Sequence, residues 1–181
     1  QQDINLALFY LNSSAKQNDL DAMHYLGVIY YEGKYVKKDI HQSIYYLTNL
    51  AAINHLPSLN YLGFIYYDKN YSDRNIHKAI HYWSLAAEKN YVTSQFNLGL
   101  IYYREALVRD INKSFYYLTK AANQNESKAY YLLGKIYYEG EYVSKNVEKA
   151  IQYLIKGSKL NDTHSLIFLG EIYSEGKHVP K

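Results

Sequence analysis

The sequence predicts an all-α fold, a solenoid of stacked antiparallel helix pairs, and three observations carry that expectation. A Leu-Gly pair recurs at Leu26-Gly27, Leu62-Gly63, Leu98-Gly99, Leu133-Gly134 and Leu169-Gly170, in steps of 36, 36, 35 and 36 residues. Regular self-similarity at such a period is the mark of a repeat architecture. Each interval holds two stretches with apolar residues at helical spacing, and capping residues punctuate those stretches in register. One helix pair of this size cannot bury its apolar face alone, whereas stacked neighbours can.

Taken in order, residues 1–18 read as the second helix of a partial repeat, with Asp3 as its N-terminal cap. In the repeat 19–54, Ala22, Leu26, Ile29 and Tyr30 form the core stripe of a first helix. Gly33 ends that helix, Asp39 starts the second and Asn54 closes it. The repeat 55–90 carries the stripe as Ser58, Leu62, Ile65 and Tyr66, with Asn75 and Asn90 as caps. Lys69, however, aligns with Gly33. The repeat 91–125 has a linker one residue shorter, "REALVRD", without glycine, before Asp110 and Asn125. In these two repeats the turn is expected to be built differently, with the first helix running further. The repeat 126–161 restores the full pattern through Ala129, Leu133, Ile136, Tyr137, Gly140, Asn146 and Asn161. Residues 162–181 are the first helix of another partial repeat, followed by Gly176 and the closing stretch "EGKHVPK". Ten helices follow, in one solenoid over 1–181. Because the chain opens and closes inside repeats, a segment of a longer array is expected, or a short array lacking its opening helix.

The caps have a physical logic. An Asp or Asn side chain accepts hydrogen bonds from the free N–H groups of a first helical turn. Asn18, Asn54, Asn90, Asn125 and Asn161 stand where each second helix ends. Asparagine tolerates the left-handed backbone that closes a helix, as glycine does at the end of the first helices. A mid-helix glycine costs about 1 kcal/mol against alanine. Its recurrence after leucine therefore predicts a neighbouring backbone passing too close for a Cβ.

Composition narrows function. With 181 residues, 48% hydrophobic, the chain can build a core, and its formal charge of +3 is far from the concentrated basic stripe of a nucleic-acid binder. No apolar run reaches the roughly 18 residues that suggest a membrane span, so no membrane insertion is expected. The sequence contains no charged-then-apolar leader, and a leader removed earlier would be compatible with it. Cysteine is absent, which excludes disulfides, thiolate metal sites and a cysteine nucleophile. The 24 tyrosines are far above ordinary usage. Tyrosine serves packed interfaces and binding faces alike.

The recurrent LGxxYxxG core, its V…D linker and a second helix of the form [D/N]xxKA…Y together resemble the Sel-1-like repeat family, a relative of the tetratricopeptide repeats. The match is Leu133-Gly134, Tyr137, Gly140, Val143, Asn146, Lys149-Ala150 and Tyr153, and similar registers cover essentially the whole chain. Asparagine in place of the family's glycine at the second helix end, and the short third linker, depart from the pattern. The resemblance implies a right-handed solenoid that holds partner proteins. It also implies two alternatives: an immunity protein neutralising a secreted bacterial toxin and, through the family's cysteine-rich members, a β-lactam or cell-wall hydrolase. The lack of cysteine speaks against the second. The compartment stays open, and no cofactor is expected.

By similarity to tetratricopeptide units, the first-helix positions equivalent to 24, 28 and 31 face the concave side. The candidate contacts for a partner protein or peptide are His24, Tyr31, Asn60, Phe64, Tyr67, Phe96, Leu100, Tyr103, Tyr131, Lys135 and Tyr138. Exposed aromatics dominate binding hot spots. The competing reading of Tyr31, Tyr67, Tyr103 and Tyr138 is repeat-to-repeat packing, and the varied positions Phe64, Phe96, Tyr131 and Lys135 are the better contacts. His77 and His81 lie four apart on one helix, a spacing that suits a metal, but no third ligand is near in sequence, and two surface histidines is the preferred reading. N-x-[S/T] triplets begin at Asn12, Asn70, Asn112, Asn125 and Asn161, as chance provides in a chain rich in asparagine and serine. No G-x-S-x-G, phosphate loop or HExxH is present. No catalytic residues are assigned, and no enzyme is expected.

Overall fold

The computed structural model describes residues 3–176, which contain ten α-helices, one 3-10 turn and no strand. The closing stretch at 177–181 lies outside the described residues. The chain divides into two compact units, 1–91 and 92–181. The first holds α1 (Ile4–Ala15), α2 (Leu20–Glu32), α3 (Ile40–Ala51), α4 (Leu56–Tyr67) and α5 (Ile76–Glu88). The second holds α6 (Val92–Arg104), α7 (Ile111–Asn123), α8 (Ser127–Glu139), α9 (Val147–Lys159) and α10 (Thr163–Ser174). Within each unit consecutive helices pack on one another, and the first helices also touch directly: α2 with α4, and α8 with both α6 and α10.

The expected start signals are all made. Asp3, Asp39, Asn75, Asp110 and Asn146 each accept a hydrogen bond from the N–H three residues on, at 2.9–3.1 Å. The five asparagines all adopt a left-handed backbone, with φ between 61° and 63°. The residue after each donates back to the helix, as in Asp19 N–H to Ser14 O at 3.3 Å and Glu126 N–H to Ala121 O at 3.1 Å. That is the Schellman arrangement, with asparagine in the place glycine usually takes. Gly33 and Gly140 close α2 and α8 at φ 65° and 66°.

One expectation is refined and one corrected. The helical glycines make room first for a side chain of the following helix, and its backbone crowds the same spot in two repeats, with Leu118 N and Ala150 O each 3.1 Å from a Cβ placed on Gly99 or Gly134. A Cβ at Gly27, Gly99 or Gly134 would lie 2.6–2.7 Å from Cγ of Leu47, Leu118 or Leu154, and one at Gly63 would lie 2.3 Å from Nε1 of Trp83. Gly170 has nothing within 4 Å. Nor do α4 and α6 run further than their counterparts. Asp68 stops α4, turning its carboxylate back to the Asn70 N–H at 2.9 Å, and α6 ends at Arg104 before a 3-10 turn over Ala106–Val108.

The tyrosine count now has a structural cause. Each repeat clasps its two helices with a pair of parallel rings: Tyr30 on Tyr46, Tyr66 on Tyr82, Tyr102 on Tyr117 and Tyr137 on Tyr153, at 5.6–6.1 Å and 4–10° between planes. The carbonyl of the first tyrosine accepts the N–H of the residue that caps the second helix, at 2.8–2.9 Å. In three repeats a lysine ammonium, from Lys78, Lys113 or Lys149, sits over the ring of the first helix at 4.3–5.2 Å. Cation–π contacts of this kind are worth about 0.5–1 kcal/mol at exposed sites. Beneath the rings lie Leu26, Leu47, Leu62, Ile65 and Trp83 in the first unit, and Leu118, Leu133, Ile136 and Leu154 in the second, all essentially buried.

Candidate functional site

The first helices carry every candidate contact, because their positions three and four apart share a face. In the first unit those residues are largely spent on one another. Ser58, fully buried at the start of α4, lies 2.9 Å from Nδ1 of His24 and 2.8 Å from Nδ1 of His55. Its hydroxyl can donate to one imidazole and accept from the other. Burial, with His55 adding to it, holds the His24 pKa below its usual value, against the pull of Asp21. Tyr31 donates to Asp68 Oδ2 at 2.8 Å, and burial together with that bond raises its pKa. Tyr67 packs against Trp83, under the guanidinium of Arg74 at 5.3 Å. Asn60 is 6% exposed, and its backbone carbonyl accepts the Trp83 indole N–H at 3.1 Å, so little of this residue reaches the surface. Phe64, 38% exposed, is the most accessible of the set, edge-on to Trp83 and Tyr61.

Tyr61 is the residue that sequence reasoning missed in this unit. Its ring meets His24, Tyr31 and Phe64, and its hydroxyl donates to Glu32 at 3.2 Å. Burial first, then that carboxylate, pushes its pKa up to about 12. A signal existed: the position before each Leu-Gly pair reads Tyr25, Tyr61, Asn97, Leu132 and Phe168, as varied as the positions that were selected.

In the second unit the candidates converge on two adjoining clefts between α6, α8 and α10. One, of about 330 Å³, is lined by Tyr131, Lys135, Tyr138, Glu139, His164, Ile167, Phe168 and Glu171. The other, of about 260 Å³, is lined by Phe96, Leu100, Arg104, Lys128, Tyr131, Leu132 and His164. Tyr131 and His164 belong to both, with their rings 5.4 Å apart. Of the expected contacts in this unit, Phe96, Leu100, Tyr131, Lys135 and Tyr138 are brought together. Tyr103 instead donates to Glu139 Oε2 at 2.7 Å, and burial and that bond raise its pKa. Tyr138 likewise donates to Glu175 Oε2 at 3.0 Å. The hydroxyls of Tyr31, Tyr103 and Tyr138 therefore link successive repeats, which favours packing as their main task. In the larger cleft Lys135 is paired with Glu139 at 3.5 Å. His77 and His81 are exposed on α5, and no cluster of three metal-binding side chains occurs among the described residues. No described helix is long and apolar enough to cross a membrane.

The Sel1 repeat model matches residues 1–19, 20–55, 56–91, 92–126, 127–162 and 163–181, the whole length of the sequence. The chain belongs to the Sel1 repeat family. No curated protein sequence matches it. Among solved structures it is similar to c5321, described as a protective antigen of uropathogenic Escherichia coli displaying an SLR fold, at 26% identity and TM-score 0.82, over 93% of this chain and 36% of that one. It is similar at 28% identity and TM-score 0.79 to a Sel1 repeat protein from Oxalobacter formigenes, over 90% of this chain and 66% of that one. An immunity protein from Pseudomonas aeruginosa, Pa5087, shares the fold at 20% identity and TM-score 0.61, over 96% of this chain and 64% of that one. This Sel1 repeat chain thus spans about a third and two thirds of the length of the first two. Its family and its helices make it a repeat scaffold of the kind that supports protein–protein interaction.

Proposed function

We propose that this Sel1 repeat chain is a non-enzymatic scaffold that holds a partner protein, or an extended peptide, against its first helices on the concave side. The observation that carries the reading is the pair of clefts in the second unit, where Phe96, Leu100, Tyr131 and Lys135 meet at positions that differ from repeat to repeat. Aromatic anchors in such clefts are what partner hot spots require. The helices are already packed, so little ordering is needed on binding and more of the contact energy appears as affinity. Shape and charge recognition fit this set of side chains better than turnover does. The immunity reading draws on a fold likeness at 20% identity and ranks below the general scaffold.

The test is affinity capture from the source lysate with the parent chain and with a Phe96→Ala/Tyr131→Ala variant, followed by calorimetry on the purified pair. Matched helical circular dichroism of the two proteins separates lost contact from lost fold. A partner bound by the parent and at least tenfold more weakly by the variant is expected, since two truncated hot-spot aromatics cost about 2 kcal/mol or more. Equal binding by both would sink the reading.

A further inference from the structure

Six residues after the leucine of each Leu-Gly pair stand Glu32, Asp68, Arg104, Glu139 and Glu175. Asp68, Glu139 and Glu175 accept the hydroxyl of a tyrosine from the preceding repeat, and Glu32 accepts that of Tyr61. Arg104 is the one cation in that register, and a guanidinium, having no acceptor, cannot take a tyrosine proton bond. The repeat architecture therefore does not account for Arg104. Its position does something else.

Arg104 borders the smaller cleft of the second unit, beside the apolar side chains of Phe96, Leu100 and Leu132 and the ring of Tyr131. Lys128 stands on the same rim, and no carboxylate lines the cleft. Neither Arg104 nor Lys128 forms an ion pair with a described residue. The carboxylates at the two adjoining helix starts are committed to caps. Glu126 accepts the Lys128 N–H at 3.3 Å, and Asp162 accepts both the N–H and the hydroxyl of Ser165 at 2.7 Å, with His164 3.9 Å away. The adjoining larger cleft differs, carrying Glu139 and Glu171 and a lysine already paired. Unpaired cations over an apolar floor focus the field on anions, and a guanidinium matches a carboxylate with two parallel hydrogen bonds.

Resting on the scaffold reading above, we infer that the smaller cleft binds an acidic peptide segment of a partner protein. A large apolar side chain lies on Phe96, Leu100 and Leu132, and flanking aspartate or glutamate carboxylates meet Arg104 and Lys128. The acids set the specificity, and the apolar anchor supplies the contact area.

The test uses the full chain and fluorescein-labelled Gly-Ser peptides carrying one Phe flanked by two Asp, two Asn or two Lys, read by anisotropy at low and moderate salt. The Asp peptide should bind about tenfold more tightly than its Asn isostere, as expected for one or two charge-assisted bonds, with the advantage shrinking as salt rises. R104Q/K128Q, which changes two exposed side chains, should erase that advantage. Equal binding of Asp and Asn peptides, an Asp preference that survives the double variant, or no binding of any peptide would overturn the inference. Asn-peptide binding that depends on Phe96 without any Asp preference would sink the acid specificity alone and leave the binding face standing. Partner capture unaffected by the Phe96→Ala/Tyr131→Ala change would sink the scaffold reading itself.

Discussion

A methyl group added to Gly63 would sit 2.3 Å from the indole nitrogen of Trp83, a buried side chain with no room to retreat. Gly63→Ala should cost about 1–3 kcal/mol, the usual penalty for overpacking, while Gly170→Ala, with nothing within 4 Å, should gain up to about 1 kcal/mol from helix propensity. Urea unfolding of the two variants checks the pair, and equal effects would refute the account of the helical glycine. The sequence pattern made it plain that something excludes a Cβ at this register. What excludes it was not legible, because spacing along one helix does not reveal the neighbour that fills the gap. The neighbour is leucine in three repeats and tryptophan in one.

Whole elements are set by caps. The second helices start on an Asp or Asn side chain and end on a left-handed asparagine, both plain in the sequence because each residue type has few other reasons to recur there. Asn125→Ala, at φ 63°, should destabilise the second unit by about 1 kcal/mol, while Asn125→Gly should be close to neutral, since glycine meets no Cβ penalty in that region. Thermal melts of the two variants distinguish a backbone role from a side-chain one, and equal losses would point to the side chain. The ends of α4 and α6 were misjudged because a missing glycine was read as a missing stop. The Asp68 carboxylate supplies the stop in one repeat and a 3-10 turn follows the helix in the other. Phe96 and Leu100 on α6, and Tyr131, Lys135 and Tyr138 on α8, were legible as cleft-lining positions because they recur at equivalent places on successive first helices. Arg104, Lys128, His164 and Phe168 were not, because they come from helix ends and from the flank of the stripe, where only packing between helices brings them in.

Over the molecule as a whole, tyrosine does the work that aliphatic residues do in most helical repeats, and pH is the variable that exposes this. Burial is the leading cause that raises the pKa of Tyr46, Tyr66, Tyr82 and Tyr153 in the stacked pairs, and of Tyr61, pushed up to about 12. In the unfolded chain the same phenols titrate near about 10. A folded pKa above the unfolded one gives stability that is complete below the unfolded value and is lost as pH rises towards the folded one. Alkaline titration should therefore show phenolate absorbance and loss of far-ultraviolet dichroism rising together above about pH 10. Ionisation of all 24 phenols near their ordinary value while helicity stays intact would contradict the packing described.

Trp83, the one tryptophan in the sequence, is 2% exposed and lies in the first of the two compact units, wedged between Phe64 and Tyr67. The second unit has tyrosine fluorescence alone. Indole emission is thus a private optical channel for one half of the chain, while dichroism sums both. Coincident melting curves from the two signals mark a single cooperative block, and separated curves mark two halves that open in turn.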